Sequence, residues 1–212
     1  MLNARGVLVG SVLALAACGG GGGGGGGTGI DPRLARLDIY EAQRLRVLGD
    51  VGAGVPGMPL TPDAAVPNAG EAAFAGAAAI QIEQPSGILS LAGDAALTVA
   101  FGTATASGAV TDVFGERAGA GIVDYDGSLS LSGVVGGAGF ALDYAGSLTA
   151  GAEVLTFDGV LSATLLGNPI AGFAALDLAA RVDQSGVLRP AALVIFAEGT
   201  VTPPAPPPAP AP

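Results

Sequence analysis

From Gly70 onward the chain alternates apolar and polar residues with a period of two, and five of its segments repeat one pattern: bulky, any, Gly, any, apolar. The copies are Phe74-Ala-Gly76-Ala-Ala78, Tyr125-Asp-Gly127-Ser-Leu129, Tyr144-Ala-Gly146-Ser-Leu148, Phe157-Asp-Gly159-Val-Leu161 and, with Ile in the aromatic slot, Ile170-Ala-Gly172-Phe-Ala174. Residues two apart in a strand point to the same face, so the three marked positions share the apolar side. A glycine on that side lets a strand bend sharply, and a neighbouring ring can fill the space it leaves. Such bends, repeated round a sheet, permit closure into a small barrel, and closure removes exposed strand edges.

The alternation places Phe74, Gly76, Ala78, Ile80 and Ile82 opposite Ala75, Ala77, Gln81 and Glu83. Leu97, Val99 and Phe101 share a face of the next strand, and a Thr/Ala/Val strand follows over 103–113. Tyr125, Leu129 and Leu131 oppose Ser128, Ser130 and Ser132. Phe140, Leu142, Tyr144 and Leu148 oppose Asp143, Ser147 and Thr149, and Leu155, Phe157, Leu161 and Leu165 oppose Thr156, Asp158, Ser162 and Thr164. Ile170, Leu176 and Leu178 are set against Asp177 and Arg181, and the last strand covers about 191–198. One wet face per strand is the mark of antiparallel sheets. Turn residues join the strands at Gln84-Pro85-Ser86-Gly87, Gly133 to Gly139, Gly167-Asn168-Pro169 and Asp183-Gln184-Ser185-Gly186, and short links favour a meander. Asp126-Gly127 and Asp158-Gly159 have hairpin-turn composition, but the alternation runs through both without changing phase, which argues against turns there.

The expectation is an all-β domain over 70–200: an up-and-down antiparallel barrel of about eight strands with a filled interior, preceded by a short helix. A membrane-spanning barrel needs an apolar outer band and aromatic girdles. Here the second face carries Glu83, Asp143, Asp158, Asp177, Arg181 and many Ser and Thr, and the whole chain has only three Tyr, seven Phe and no Trp. The apolar face is therefore read as the packed inside and the polar face as solvent.

The first seventeen residues have one positive charge (Arg5), an apolar run from Val7 to Ala17, and small residues before Cys18, the single cysteine. This is the layout of a secretory signal. The ending Leu15-Ala16-Ala17-Cys18 resembles a bacterial lipobox, which implies cleavage before Cys18, palmitate-type acylation there and attachment to a membrane through the lipid. Gly19 after the cysteine points to the outer membrane, with the periplasmic or the cell-surface side left open. Residues 18–30 form the lipidated cysteine and a glycine-rich tether; with no lysine in the chain, the glycine run Gly19–Gly27 is not a phosphate-binding loop. Asp31-Pro32 suits a helix N-terminus, Leu34, Leu37, Leu45 and Leu48 recur at helical intervals, and Gly49 is a good stop, so 31–49 reads as a helix that packs on the domain or stands as a stalk. Residues 50–69, with Pro56, Pro59, Pro62 and Pro67, read as an extended linker, and 201–212 as a Pro-rich tail.

A lipobox, a glycine run, a proline-interrupted linker and a glycine-kinked barrel together resemble the transferrin-binding protein B-like lipoproteins. The stretch Ala95-Ala-Leu-Thr-Val-Ala-Phe101-Gly-Thr-Ala-Thr-Ala-Ser-Gly108-Ala-Val110-Thr-Asp is similar to that family's apolar-Phe-Gly strand followed by Ser-Gly-x-Val. Phe74-x-Gly76 is similar to its first-strand Tyr-x-Gly, and Gly167-Asn168-Pro169-Ile170-x-Gly172 to a late barrel turn. The resemblance covers roughly residues 70–198 and implies an outer-membrane lipoprotein whose barrel binds a protein partner. This chain has one barrel and no second lobe, and its loops are short and poor in aromatics and arginine, so no ligand-binding residues carry over.

Catalysis is not expected. There is no histidine for a hydrolytic triad or a typical zinc site, and the one thiol is taken by the lipid. Asp124 and Asp126 flank Tyr125 and share the polar face, yet the offsets of a calcium loop are missing, which leaves a solvated strand face. Glu116-Arg117 reads as a surface pair or part of a contact patch. From Val51 onward there are three arginines against fourteen acids, a balance that repels nucleic acid and anionic lipid. No cofactor or metal is expected. The functional expectation is a binding module for a protein or solute at the cell envelope; the alternative is a structural envelope lipoprotein with no dedicated ligand.

Overall fold

The computed structural model describes residues 31–117 and 121–204. The signal segment 1–17, Cys18, the remainder of the tether to residue 30, and 205–212 of the tail lie outside the described residues, as do 118–120. Helix α1 (Pro32–Val47) leads into a small hairpin of β1 (Gly49–Asp50) and β2 (Val55–Pro56) and then a 3-10 turn, Asp63–Ala65. The remaining strands are β3 (Glu71–Gln84), β4 (Gly87–Ala100), β5 (Thr105–Arg117), β6 (Gly121–Val134), β7 (Gly139–Ala150), β8 (Glu153–Leu166), β9 (Gly172–Asp177), β10 (Arg181–Gln184) and β11 (Val187–Thr202).

Every neighbouring pair is antiparallel, in the order expected of a meander, and β11 returns to pair with β3. Both β9 and β10 pair with β8 on one side and β11 on the other, so the two short strands share the seventh position of an eight-position barrel. The eight-stranded, closed, all-β reading of the sequence is thus the observed fold. Asp126-Gly127 lies inside β6 and Asp158-Gly159 inside β8, as the unbroken alternation required.

The interior is filled. Phe74, Ile80, Ile82, Leu97, Val99, Tyr125, Leu129, Leu142, Tyr144, Leu148, Leu155, Phe157, Leu161, Phe173 and Leu193 form one continuous apolar cluster. The rings of Phe74 and Phe140 both lie against Phe173, at centroid distances of 5.9 and 6.2 Å. Each large side chain so buried stabilises the fold by roughly 1.5–3 kcal/mol before entropy is counted.

Two features differ from expectation. First, residues 50–69 do not form a free extended linker. Thr61 donates from Oγ1 to the Gly167 carbonyl at 2.7 Å and from its amide to Leu165 at 3.1 Å, and Asp63 accepts from the Ala138 amide at 2.9 Å. Val66 packs on the core. These contacts lay the segment across the barrel end that carries the loops 101–104, 135–138 and 167–171, where it satisfies loop backbone groups that the ladder leaves unpaired.

Second, the polarity is inverted around residues 176–178. Leu176 and Leu178 are 45% and 50% exposed, whereas Phe173, Ala175 and Val182 face the core. Asp177 turns inward and accepts a hydrogen bond from the buried Tyr144 hydroxyl at 2.9 Å. Regular alternation in β9 from Phe173 and Ala175 puts position 177 on the inner face and Leu176 on the outer one, just before the break in the seventh strand. Asp177 also accepts from the Ala179 amide at 3.0 Å, so one carboxylate both closes the break and satisfies a buried phenol.

The helix is docked on the barrel, not free as a stalk. Asp31 caps it by accepting from the Arg33 amide at 2.9 Å, Pro32 occupies its first turn, and Gly49 follows with φ of +72°. Its buried face is Leu37, Tyr40 and Val47, while Leu34 is exposed and Leu45 only half-buried. Beneath it, on the outer wall, lie Ala77, Ala92, Phe114, Leu166, Ala174 and Phe196. Three outward-facing alanines, Ala77, Ala92 and Ala174, are thus buried under the helix. Phe114 reaches the outside because of a β-bulge: the β5 register shifts between Val110 and Val113, both of which face the core, and Asp112 takes φ of +50°. An extra residue in a strand re-aims the side chains beyond it.

Candidate functional site

The two ends of the barrel are built differently. One is crossed by the docked segment 59–69. The other carries the tight links at 84–87, 150–153 and 184–187, with Gly87, Gly151 and Gly186 all at positive φ. These turns need little chain, so they leave the strand ends open as a rim.

A polar network lines that rim. The Tyr125 ring is buried in the core and its hydroxyl points out of the barrel mouth, where it donates to Glu153 at 3.1 Å. Gln184 donates to the other Glu153 oxygen, and Arg189 Nε donates to the Gln184 carbonyl oxygen at 3.3 Å. Two adjoining depressions, of about 580 and 350 Å³, open beside the network and share Gln84, Ser86 and Glu153. Ser185, Val187 and Arg189 complete the larger one; Ile88, Leu89 and Glu116 complete the smaller. Mouths of barrels are common places for ligands because a rigid wall holds the side chains in place. The mixture here of carboxylates, amides, one guanidinium and a few aliphatic groups suits hydrogen bonding to a polar partner.

The sequence-singled positions fall in several places. Gly76, Gly127, Gly146 and Gly159 lie in phase with the core residues of β3, β6, β7 and β8. Gly159 has the Tyr144 ring directly over it: a side chain there would meet Tyr144 Oη, Cζ and Cε1. Gly127 (φ +116°) and Gly146 (φ +156°) approach the Ser147 and Ser128 carbonyls of the adjacent strands too closely for any side chain. Gly172 departs from the expected pattern. It faces outward, toward Met58 of the segment after the helix, because the phase of β9 puts Phe173 and not its neighbours on the inside. Cys18 lies outside the described residues.

Asp124 and Asp126 are exposed on the outer wall, and Asp124 pairs with Arg33 of α1 at 3.2 Å. Among the described residues no group of three acidic side chains stands close enough to hold a metal ion. Glu116 is exposed beside the smaller depression. Sequence reasoning missed the rim network of Tyr125, Glu153, Gln184 and Arg189. Its members are 64 residues apart from first to last and come together only on closure; the one local signal was a Tyr at the end of an apolar face.

The three tyrosines of the chain all donate to carboxylates: Tyr40 to Asp94, Tyr125 to Glu153 and Tyr144 to Asp177. Burial, with the hydrogen bond to Asp94 or Asp177 adding to it, raises the Tyr40 and Tyr144 hydroxyl pKa values well above the ordinary phenol value. Both are hydrogen-bond donors, not acids, at neutral pH.

No protein-family model and no curated protein matches the chain. Among solved structures, a variant of the vaccine antigen transferrin-binding protein B from Haemophilus parasuis Hp5 is similar over 67% of this chain at 18% identity and a TM-score of 0.47. The match spans 29% of that protein's own chain. A likeness of that degree says nothing about what this chain binds. No helix among the described residues is long and apolar enough to cross a membrane.

Proposed function

We propose that the chain is a cell-envelope lipoprotein, held at the outer membrane by a lipid on Cys18, whose barrel is a rigid scaffold that binds a protein or polar solute at its turn-bearing rim. The filled interior carries this reading. With the inside occupied by Leu, Phe and Tyr side chains, recognition is confined to the outer surface, and at the rim a hydrogen-bonded set of polar side chains borders two open depressions. The lipobox-like Leu15-Ala-Ala-Cys18 ending supports the anchor, and the resemblance of Phe74-x-Gly76 and of the stretch 95–112 to transferrin-binding protein B-like barrels supports the class. Transferrin itself is not part of the proposal, and neither is catalysis.

Two experiments test it. Cells fed labelled palmitate incorporate it into the wild type and not into Cys18→Ser, and protease treatment of intact cells reports the facing side. For binding, the purified protein at micromolar concentration retains a component of culture medium or host fluid, and Ser86→Trp, which places a bulky ring between the two depressions at a position lining both, loses it. Failure of the wild type to retain anything rejects the binding module and leaves a structural envelope protein.

A further inference from the structure

Helix α1 meets the barrel through two kinds of contact. The apolar part is Leu37, Tyr40 and Val47 against Phe114, Leu166, Phe196 and three alanines, and the Tyr40 hydroxyl donates to Asp94. The remainder is charged. Arg33 pairs with Asp124 at 3.2 Å, Arg36 with Asp94 at 3.0 Å and Arg46 with Glu198 at 2.6 Å. Arg36 also lies 4.9 Å over the Phe114 ring and donates to the Asp112 carbonyl at the bulge, and Gln43 donates to the Ala75 carbonyl at 2.9 Å. Each ion pair includes at least one side chain about half exposed or more: Asp124 at 73%, Asp94 at 51% and Arg46 at 56%. Bonds of this kind are screened by salt. The barrel strands, in contrast, are joined by continuous backbone ladders closed on themselves.

We propose that α1 is a releasable strap: a unit that opens from the closed barrel by itself, fastened by three ion pairs, and that uncovers the apolar wall of Phe114, Phe196, Ala77, Ala92 and Ala174 when it lifts. Elements with few buried apolar contacts and exposed polar ties open at lower free energy than the core. A sixteen-residue helix is marginal alone in water, so once lifted α1 loses its own hydrogen bonds. The point at which the chain leaves the barrel also changes. Fastened, it leaves beside Asp124, near the rim end of β6; released, it leaves at Leu48, toward the end crossed by 59–69. Where the tether reading of 18–30 holds, release lets the barrel stand off by up to about 50 Å more, the extended length of the strap.

Hydrogen–deuterium exchange on the full mature chain tests the strap without any need for lipid. Between about 0.02 and 0.5 M NaCl the amides from Leu37 to Val47 exchange about fivefold faster, the loss expected from screening three exposed pairs, while β3 to β8 amides do not change. Arg46→Ala accelerates the same helix amides at low salt and weakens their salt response. Helix amides that exchange only together with the barrel strands, or that ignore salt in the wild type, overturn the proposal. Loss of palmitate labelling would reject the anchor and leave this result untouched.

Discussion

Tyr144 and Gly159 face each other across β7 and β8, and the substitution Gly159→Ala tests the repeated glycine pattern directly. A Cβ at 159 would stand 2.5 Å from Tyr144 Oη and 2.6 Å from Cζ. Tyr144 is 1% exposed, so its ring has no solvent to move into. Overpacking of this kind costs about 1–3 kcal/mol. A ring that moves also gives up its bond to Asp177, and losing a hydrogen bond to a charged group costs about 1.5–3 kcal/mol. Replacing Gly by Ala in a strand returns roughly 0.5–1 kcal/mol through the unfolded chain, because Gly159 does not need a positive φ. The net expectation is a loss of about 1.5–5.5 kcal/mol. With a urea m-value of about 1.5–2 kcal/mol per molar, the unfolding midpoint falls by about 1–4 M. Far-UV circular dichroism is a suitable probe, since the chain has no tryptophan. The decisive measurement is a double-mutant cycle with Tyr144→Leu: in that background Gly159→Ala becomes neutral or stabilising. An equal cost in both backgrounds would refute the idea that the glycine exists to seat the ring.

Two further predictions bear on the fold. Leu129→Ala, at a position with 0% exposure on the inward face of β6, lowers stability by about 2–5 kcal/mol, whereas Leu188→Ala, 63% exposed on β11, changes it by less than about 0.5 kcal/mol; paired urea titrations that gave similar losses would contradict the assigned inside of the barrel. Tyr144→Phe reduces the loss of stability in alkali. Burial and Asp177 raise the folded pKa of this hydroxyl, so its contribution is full below the ordinary phenol value near 10 and fades as pH climbs through the folded value; Tyr40, raised in the same direction, supplies the remaining dependence. Wild type and variant losing stability in parallel above pH 10 would count against it.

Much of this architecture could be read along the chain. Period-two alternation in β3, β6, β7 and β8 placed Ile80, Leu129, Tyr144 and Phe157 on the inner face, and the uninterrupted phase through Asp126-Gly127 and Asp158-Gly159 ruled out turns that composition alone would have suggested. Alternation is reliable there because each residue reports its own burial. It misleads where the ladder is irregular. The bulge at Thr111-Asp112 sends Phe114 outward, and at the end of β9, beside its split from β10, the residue types run against the faces, with Leu176 in solvent and Asp177 inside.

The helix shows the same division. Its cap, Asp31, and its stop, Gly49, are local chemistry and were legible; which face it buries was not, because Leu34 and Leu45 satisfy the helical spacing as well as Leu37 and Val47 do. The choice falls to the barrel wall, where Phe114 and Phe196 offer an apolar seat and Asp94 and Glu198 receive the arginines. Likewise the rim depressions require Gln84, Glu116, Glu153 and Arg189, from four different strands, to meet after closure.

By itself, then, the amino-acid order determined the strand faces, the meander, the need for closure and the helix ends, since all of these follow from steric and solvation preferences within a few residues. Folding in three dimensions alone settled that the helix docks on the barrel wall, that the segment after it lies across one end, and that the opposite rim is the open one. Those outcomes depend on groups far apart in the chain sharing one surface, and no local preference encodes such a meeting.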